Sequence, residues 1–250
     1  MNLIIDIGNS RTKIALFNDS DLLFNLSLEE LVPANVEMLL DEHPSLNKAI
    51  LSATKPYSPE LKKILAEKFS LFIELDHRTL IPIENLYESK ETLGKDRLAA
   101  AIGANELFPD QNLLIIDAGT AITFDLVNSK NQFVGGNISP GLEMRFKALN
   151  AFTGKLPLVE SSDEFPLFGR NTTEAIRSGV QTGILFEIEQ YIETINNKYK
   201  NLKIIITGGD AKFFDRNLKN SIFVHFNLTL IGLNRILEFN KQKRISTSSF

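Results

Sequence analysis

The chain has 250 residues, none of them cysteine, and its formal net charge is −4 at pH 7. The slightly acidic balance argues against a broad basic surface for nucleic acid or anionic lipid. The lack of cysteine excludes disulfides, thiolate catalysis and cysteine-ligated metal centres. No apolar run reaches the length that spans a membrane, and the first residues contain no secretory signal. We therefore expect a cytoplasmic protein that has no nucleic-acid or membrane partner.

The first half of the chain predicts strands that alternate with helices. An apolar run stops at Gly8 and residues 12–17 resume with β-type residues, so the pair predicts strand, tight turn and strand. A further strand is predicted over 49–52, with a helical pattern on either side of it. An alanine-rich helix is predicted over 96–107 and ends before a proline.

The second half restarts with strands over 113–116, 122–127 and 132–138. The segments 78–95 and 152–171 lack periodicity and are expected to form long loops near a cleft. Three helices are predicted in this half. The first begins at Pro140 and runs to Leu149, and the second is long and is capped by Thr172 or Thr173. The last spans 231–239 and is followed by a solvated polar tail.

One short motif is written twice, as IIDIGNSRTK at 4–13 and as IIDAGTAITF at 115–124. An internal repeat of this kind indicates architecture before any single residue does. We predict two related mixed α/β domains that face each other, one over 1–111 and one over 112–250. The boundary falls in the polar break that begins at Pro109.

The first copy of the motif has the residue types of a phosphate-binding loop. Gly8 permits a tight turn with exposed backbone N–H groups, and the side chains of Asn9 and Ser10 can hydrogen-bond to phosphate oxygens. Asp6, at a strand end, suits a hydrated magnesium ion that also binds phosphate. Lys13 can neutralise charge on a transferred phosphoryl group. One such motif alone is also typical of an ordinary hairpin.

The second copy, Asp117 to Thr120, favours a nucleotide site. Two matching phosphate loops can bind one nucleotide together, whereas two unrelated hairpins need not match. A third glycine turn, Gly208-Gly209, follows an apolar strand and would allow the backbone to approach a ribose or a base closely.

This order of loops resembles that of the superfamily of acetate and sugar kinases, chaperone ATPases and actin. Five further features make residues 2–209 similar to type III pantothenate kinase: Tyr87, LGKDR at 93–97, GGNISPGLEMR at 135–145, TGKLP at 153–157 and GRNTTEAIRSG at 169–179. The resemblance implies an α/β fold of two duplicated ribonuclease H-like domains. Each would be a mixed sheet flanked by helices, with the active site in the cleft between them.

The resemblance also implies an activity and its ligands. Members of this family use ATP to phosphorylate the terminal hydroxyl of pantothenate, which gives 4'-phosphopantothenate in the first step of coenzyme A biosynthesis. They use ATP with Mg²⁺ and a monovalent cation, K⁺ or NH₄⁺, and they are usually homodimers. The implied partners are therefore pantothenate, ATP and a second copy of the chain.

The resemblance also implies roles for individual residues at the positions that match the family's motifs. Asp96 would be the general base that takes the proton of the pantothenate hydroxyl. Asp117 would bind the monovalent cation, and Asp6 would contact magnesium. The resemblance assigns ATP binding to Asp6, Ile7, Gly8, Asn9, Ser10, Arg11, Thr12, Lys13 and Thr120, and pantothenate binding to Tyr87, Gly94, Lys95, Asp96, Arg97 and Thr172.

The residues themselves leave other roles open. Asp96 and Thr172 stand near helix starts and could be N-terminal caps. Arg97 could form a surface ion pair, and Tyr87 could pack a loop. Two other functions stay open as well. One is a kinase of the same fold that acts on another small hydroxyl compound, such as a sugar. The other is a nucleotide-binding regulator or an actin-like assembly protein.

Overall fold

Apolar strands and helices alternate along the chain in the order that the sequence predicts. The computed structural model describes residues 1–247. The elements are β1 (Asn2–Ile7), β2 (Thr12–Asn18), β3 (Asp21–Leu28), α1 (Pro33–Glu42), β4 (Lys48–Ala53), α2 (Pro59–Lys68), β5 (Leu71–Glu74), β6 (Glu84–Asn85), α3 (Lys95–Leu107), β7 (Leu113–Ala118), β8 (Ala121–Asn128), β9 (Gln132–Pro140), α4 (Leu142–Ala151), α5 (Thr172–Lys198), β10 (Lys203–Thr207), α6 (Ala211–Asn217), β11 (Phe223–Val224) and α7 (Leu228–Thr247). Among the described residues, no helix combines the length and the apolar character needed to cross a membrane.

The elements belong to two units. Unit 1 consists of Met1–Pro109, Asn131–Val134 and the residues from Asn227 onward, and unit 2 consists of Asp110–Lys130 and Gly135–Phe226. The chain enters unit 2 at Asp110, and the start of β9 and helix α7 return to unit 1. The division therefore differs from a single boundary at residue 111.

Unit 1 contains a five-stranded sheet with the order β3-β2-β1-β4-β5. Strand β2 is antiparallel to β1 and β3, whereas β4 is parallel to β1 and β5. Because side chains alternate along β1, Leu3, Ile5 and Ile7 pack with the core residues of α1 and α2. Asn2 and Asp6 point to the opposite face, and α7 packs on β1 and on α3.

Helices α3 and α7 approach closely because each has a glycine where they cross. A Cβ atom at Gly103 would collide with the carbonyl group of Leu228, and one at Gly232 would collide with the carbonyl group of Ala99. Two helices can approach this closely only where such small residues meet. This crossing explains why the C-terminal helix belongs to unit 1.

Helix α7 is longer than predicted. The last helix, expected over 231–239, begins at Leu228 and continues to Thr247, so the expectation of a polar tail after residue 239 is wrong as far as the structure describes the chain. Part of that expectation falls on 248–250, which lie outside the described residues. The first turns of α7 are buried, and such packing stabilises a helix more than the propensity of its own residues does.

Glu238 of α7 accepts hydrogen bonds from three side chains. Lys48 Nζ lies 2.7 Å and Asn2 Nδ2 lies 2.9 Å from Glu238 Oε1, and Lys241 Nζ lies 3.0 Å from Oε2. Burial opposes the ionisation of this carboxyl group, but the hydrogen bonds outweigh it and lower the pKa of Glu238 to about 2. The ionised carboxylate therefore attaches α7 to β1 and β4.

We expect Glu238→Gln to lower the free energy of unfolding at pH 7.5 by about 1–3 kcal/mol, because the bonds to two lysines lose their charge. The folded-state pKa lies below the ordinary value of 4.5, so the stabilisation is present above about pH 4.5 and is lost as the pH falls toward 2. Urea unfolding at pH 7.5 and pH 3.5 measures it. The control is Glu67→Gln, whose exposed ion pair with Lys63 should contribute less than about 1 kcal/mol. An equal loss at both pH values would contradict the role of the charge.

Unit 2 repeats the topology of unit 1. Five strands of the second sheet have the order β11-β10-β7-β8-β9, with β8 antiparallel and β10 parallel to β7. The short strand β6 pairs with the start of β9 as the sixth strand. When the strands of each unit are numbered in their own chain order, both sheets read 3-2-1-4-5. The predicted α/β class of two duplicated ribonuclease H-like domains is confirmed by this repetition together with the structural neighbours reported below.

The predicted start of α4 at Pro140 is wrong. Pro140 is the last residue of β9, and α4 begins at Leu142 with Gly141 as its N-cap. The backbone N–H of Gly141 donates to the carbonyl of Thr120 at 3.2 Å. A Cβ atom at Gly141 would collide with the backbone of Gly119 and Thr120, so this contact, and not the proline, sets the boundary.

The predicted cap of α5 is also wrong. Asn171 is the N-cap, and its Oδ1 accepts a hydrogen bond from the backbone N–H of Glu174 at 2.9 Å. The carboxylate of Glu174 in turn accepts from the N–H of Arg170 at 2.8 Å. Asparagine competes well with threonine for this position, and Thr172 is left with no capping role.

Candidate active site

Asp6 lies near the end of β1, on the face of the sheet opposite the α1 and α2 core. Its neighbours across the strands are Lys13 on β2 and Ser52 on β4, and side chains paired in this way share one face. Asp6 is 8% exposed, and its Oδ1 has no hydrogen-bond partner among the described residues. A buried carboxylate oxygen without a partner is costly, so the atom is placed for a ligand that the chain does not supply.

The charges around Asp6 form one cluster within unit 1. The pKa of Asp6 is raised to about 6, chiefly because the carboxyl group is buried; the charge of Lys13 acts to lower it, the carboxylate of Asp96 acts to raise it, and the hydroxyl of Ser52 acts to lower it. Asp96 therefore lies close enough to act on Asp6, although it comes from the distant helix α3. A divalent cation fits this cluster, because it would offset the two carboxylates and supply the missing partner of Asp6 Oδ1.

The turn after β1 has the shape that the sequence predicts. Gly8 donates its N–H to the carbonyl of Arg11 at 3.0 Å, and a Cβ atom at Gly8 would lie only 3.1 Å from that oxygen. Asn9, Ser10 and Arg11 are exposed. These exposed residues can contact a phosphate ligand.

Ile7 and Thr12 are also predicted to bind ATP, but both are buried, at 3% and 1% exposure. The side chain of Ile7 belongs to the core, and its carbonyl accepts from the N–H and the hydroxyl of Thr54 at 2.9 and 3.1 Å. These two residues fix the ends of the turn. The side chain of Ile7 is not available to a ligand.

Helix α3 places Asp96 in its first turn. The N-cap is Gly94, so the alternative interpretation of Asp96 as the cap is wrong, although Asp96 Oδ1 does accept from the N–H of Arg97 at 2.8 Å. That bond satisfies one of the free N–H groups of the first turn. A Cβ atom at Gly94 would lie 2.6 Å from Asp96 Oδ1. Glycine therefore leaves the space in which this carboxylate lies.

Arg97 is buried, at 6% exposure, and its guanidinium carbon lies 5.6 Å from the centroid of the Tyr87 ring. This distance is that of a cation–π contact, and the burial contradicts the alternative of a surface ion pair. Lys95 directly precedes Asp96 and Arg97 in the sequence. It lines a cavity of about 550 Å³ together with the loop over 75–83.

In unit 2 the second and third glycine turns meet at Asp117. Gly208 has a positive φ of 96°, and a Cβ atom there would lie 2.6 Å from Asp117 Oδ1 and would collide with the carbonyl of Ala118. That carbonyl accepts the N–H of Asp210 at 3.0 Å. The turn after β10 is thus packed against the carboxylate at the end of β7. Thr120 is exposed beside it.

Thr172 is the first residue of α5 and is exposed. It lines a shallow cavity of about 530 Å³ with the loop that ends at Asn171. Within unit 1 the structure thus brings together Asp6, Lys13 and Asp96, and separately Tyr87 and Arg97. Within unit 2 it brings Asp117 close to the third glycine turn, whereas Thr172 lies at the start of another helix.

Two residues of these clusters, and a third residue outside them, were not assigned from the sequence. Ser52 faces Asp6, and the only sequence signal is a hydroxyl within a buried strand. Phe133 contacts the ring of Tyr87 and has no local signal. Outside them, Arg145 donates to the carbonyl of Pro140 and forms an ion pair with Glu187 of α5; the motif that contains it supported the family resemblance but gave this residue no role.

The sequence and the fold were compared with known proteins. The profile of the type III pantothenate kinase family matches residues 2–194. A type III pantothenate kinase from Phocaeicola vulgatus is 44% identical over 245 residues, covering 96% of this chain and 99% of that protein. Among solved structures, a Campylobacter jejuni protein whose name assigns it to the Baf family of transcriptional activators has a TM-score of 0.62 at 24% identity, covering 96% of this chain and 99% of the other. The inorganic polyphosphate/ATP-glucomannokinase from an Arthrobacter species has a TM-score of 0.50 at 13% identity, covering 97% and 100%. The two structural similarities concern the fold.

Proposed function

The chain belongs to the type III pantothenate kinase family, and we propose that its phosphoryl transfer to pantothenate uses Asp96 as the general base. The activity is ATP-dependent phosphorylation of pantothenate, the entry to coenzyme A biosynthesis. The observation that supports the proposed roles is the cluster in unit 1, where the charges of Lys13 and Asp96 both act on Asp6. The turn proposed to bind phosphate would then be adjacent to the helix proposed to bind the acceptor.

ATP binds together with a divalent metal ion in this family. The metal, when bound, neutralises charge on the phosphoryl oxygens. Asp6 would hold it, since its buried Oδ1 has no partner among the described residues. The exposed N–H groups and side chains over Asn9–Arg11 would bind phosphate oxygens, and Lys13 would stabilise the charge that develops during transfer.

The acceptor would lie against the start of α3. Asp96 would orient the terminal hydroxyl and accept its proton, because phosphoryl transfer depends chiefly on a correctly oriented attacking oxygen. The buried guanidinium of Arg97 offers donors in a fixed fork to an acceptor oxygen. Tyr87, Gly94, Lys95 and Thr172 are proposed as further pantothenate contacts.

Three further features belong to the proposal. Asp117 would bind K⁺ or NH₄⁺, with Thr120 as an ATP contact, and the support is the packing of two glycine turns around the Asp117 carboxylate. The active form would be a homodimer. The enzyme would act in the cytoplasm, where pantothenate and ATP are available.

We expect purified protein with Mg²⁺ and ATP to convert pantothenate into 4'-phosphopantothenate, and we expect K⁺ to raise the rate about tenfold over Na⁺, since a bound cation stabilises phosphate charge. Product detection by ³¹P NMR measures this directly. Asp117→Asn should remove the difference between K⁺ and Na⁺. Glucose and N-acetylmannosamine serve as alternative acceptors.

Transfer to a sugar but not to pantothenate, in folded protein, would contradict the proposed acceptor. A rate that is equal in K⁺ and Na⁺ would contradict only the monovalent site. Filaments that form with ATP in the absence of any transfer would support the assembly protein instead.

A further inference from the structure

We propose that Phe133 is a positioning residue for acceptor recognition, which it supports through Tyr87 and Arg97. The expected change in the KM for pantothenate rests on the proposed function. The expected effect of Phe133 on the positions of Tyr87 and Arg97 does not. All three residues belong to unit 1. Phe133 lies in the sequence far from the other two, at the start of β9.

The first observation is the order of contacts between the side chains. The ring of Phe133 lies 6.1 Å from the ring of Tyr87 at an interplanar angle of 61°, an edge-to-face arrangement. The guanidinium carbon of Arg97 lies 5.6 Å from the same Tyr87 ring. Tyr87 therefore stands in contact with both Phe133 and Arg97.

The second observation is that the backbone around Tyr87 depends on the segment that carries Phe133. The N–H of Leu86 donates to the carbonyl of Phe133 at 3.0 Å, and the N–H of Glu84 donates to the carbonyl of Asn131 at 3.0 Å. The side chain of Gln132 donates to Glu84 at 2.6 Å. A strand as short as β6 has no stability of its own, so these bonds to β9 hold Tyr87 in place.

The third observation is that Phe133 is too deeply buried to contact substrate directly. Its exposed fraction is 0%, whereas Tyr87 is half-buried and Arg97 retains 6% exposure. A fully buried ring cannot touch a ligand in solution. Its effect on binding must therefore pass through Tyr87, and a smaller side chain at 133 would remove the contact between the Phe133 and Tyr87 rings.

The kinetic test is Phe133→Leu, for which we expect the KM for pantothenate to rise about tenfold while the KM for ATP stays within about twofold, because a displaced acceptor contact weakens orientation. The matched control is Phe124→Leu. Phe124 is also a buried phenylalanine that contacts a tyrosine ring, at 4.3 Å from Tyr191, but it lies in unit 2. It should lose similar stability and leave the KM for pantothenate unchanged.

A double-mutant cycle tests the route of the effect. In a Tyr87→Ala background, Phe133→Leu should change the KM for pantothenate by less than about twofold, since the residue through which it acts is absent. Effects of the two substitutions that multiply independently would overturn the proposal. So would a rise in both KM values for Phe133→Leu.

A readout without turnover keeps the inference separate from the proposed function. The Nε–H NMR resonance of Arg97, assigned by Arg97→Lys, should show a ring-current shift that Tyr87→Ala and Phe133→Leu remove and Phe124→Leu retains. If wild-type protein does not phosphorylate pantothenate but the resonance behaves in this way, the proposed function fails, whereas the placement of Arg97 by Phe133 through Tyr87 stands. An unchanged Arg97 resonance in Phe133→Leu would overturn the positioning role.

Discussion

Asp96→Asn is expected to lower kcat for pantothenate phosphorylation by about 10²–10⁴-fold, the range of a lost general base, while the dissociation constant of ATP with Mg²⁺ stays within about threefold. Asparagine keeps an oxygen that can accept from the N–H of Arg97, as Asp96 Oδ1 does at 2.8 Å. The first turn of α3 should therefore remain folded, and the loss should be chemical. Single-turnover measurement of product, with ATP binding followed by calorimetry, checks both parts.

The control for Asp96→Asn is Glu60→Gln. Glu60 is the second residue of α2, as Asp96 is of α3, and it is exposed. Both substitutions remove one acidic group from a helix N-terminus, which costs about 0.3–1 kcal/mol. Equal melting temperatures for the two variants, with turnover lost only in Asp96→Asn, would support the base. A variant that unfolds, or one that keeps more than about a tenth of the rate, would contradict it.

Local patterns predicted the elements of the site better than its contacts. The apolar run before Gly8, the β-type run after it and the alanine-rich helix over 96–107 are all present, because periodicity and glycine report directly on local backbone preference. The duplicated motif also predicted the duplicated sheet topology. These predictions need no knowledge of how distant segments pair.

The contacts that could not be predicted all depend on pairing between distant segments. Ser52 lies beside Asp6 only through the register of β1 and β4, and Phe133 reaches Tyr87 only through the pairing of β6 and β9. The return of α7 to unit 1 likewise depends on Gly103 and its counterpart on α7. Strand register and helix crossings are set by tertiary packing, which a single sequence does not display as a period.

The residue roles at the site stay predictions for the same reason. The identity of the family follows from similarity over nearly the whole chain. The function of a site, in contrast, depends on the geometry and charge of particular side chains. The charge cluster around Asp6 is the feature that most directly connects the family identity with the function of the site. Its expected effect on the free energy of unfolding can be tested.

Asp6→Asn is expected to stabilise the metal-free protein at pH 7.5 by about 1–3 kcal/mol and to lower phosphoryl transfer at least about 100-fold. Burial raises the pKa of Asp6 from 3.8 to about 6, so ionisation is less favourable in the folded than in the unfolded chain. The penalty is fully present above about pH 6, and it disappears as the pH falls below about 4, where both states are protonated. Urea unfolding in EDTA between pH 4 and 8 should show the two proteins converge at the acidic end.

The opposite sign is expected for Glu238→Gln on helix α7, whose carboxylate contacts Asn2 and Lys48 of the same sheet. The difference lies in what each carboxylate contacts. Glu238 accepts three hydrogen bonds from side chains and two of them carry charge, so ionisation stabilises the fold. Asp6 Oδ1 has no such bond among the described residues, and burial outweighs the attraction of Lys13, so ionisation of Asp6 destabilises the fold unless a cation is bound. ATP with Mg²⁺ should accordingly raise the melting temperature of the wild type and not of Asp6→Asn. If Asp6→Asn were instead less stable at pH 7.5 without metal, Asp6 would be a structural residue and the metal-binding role would be withdrawn.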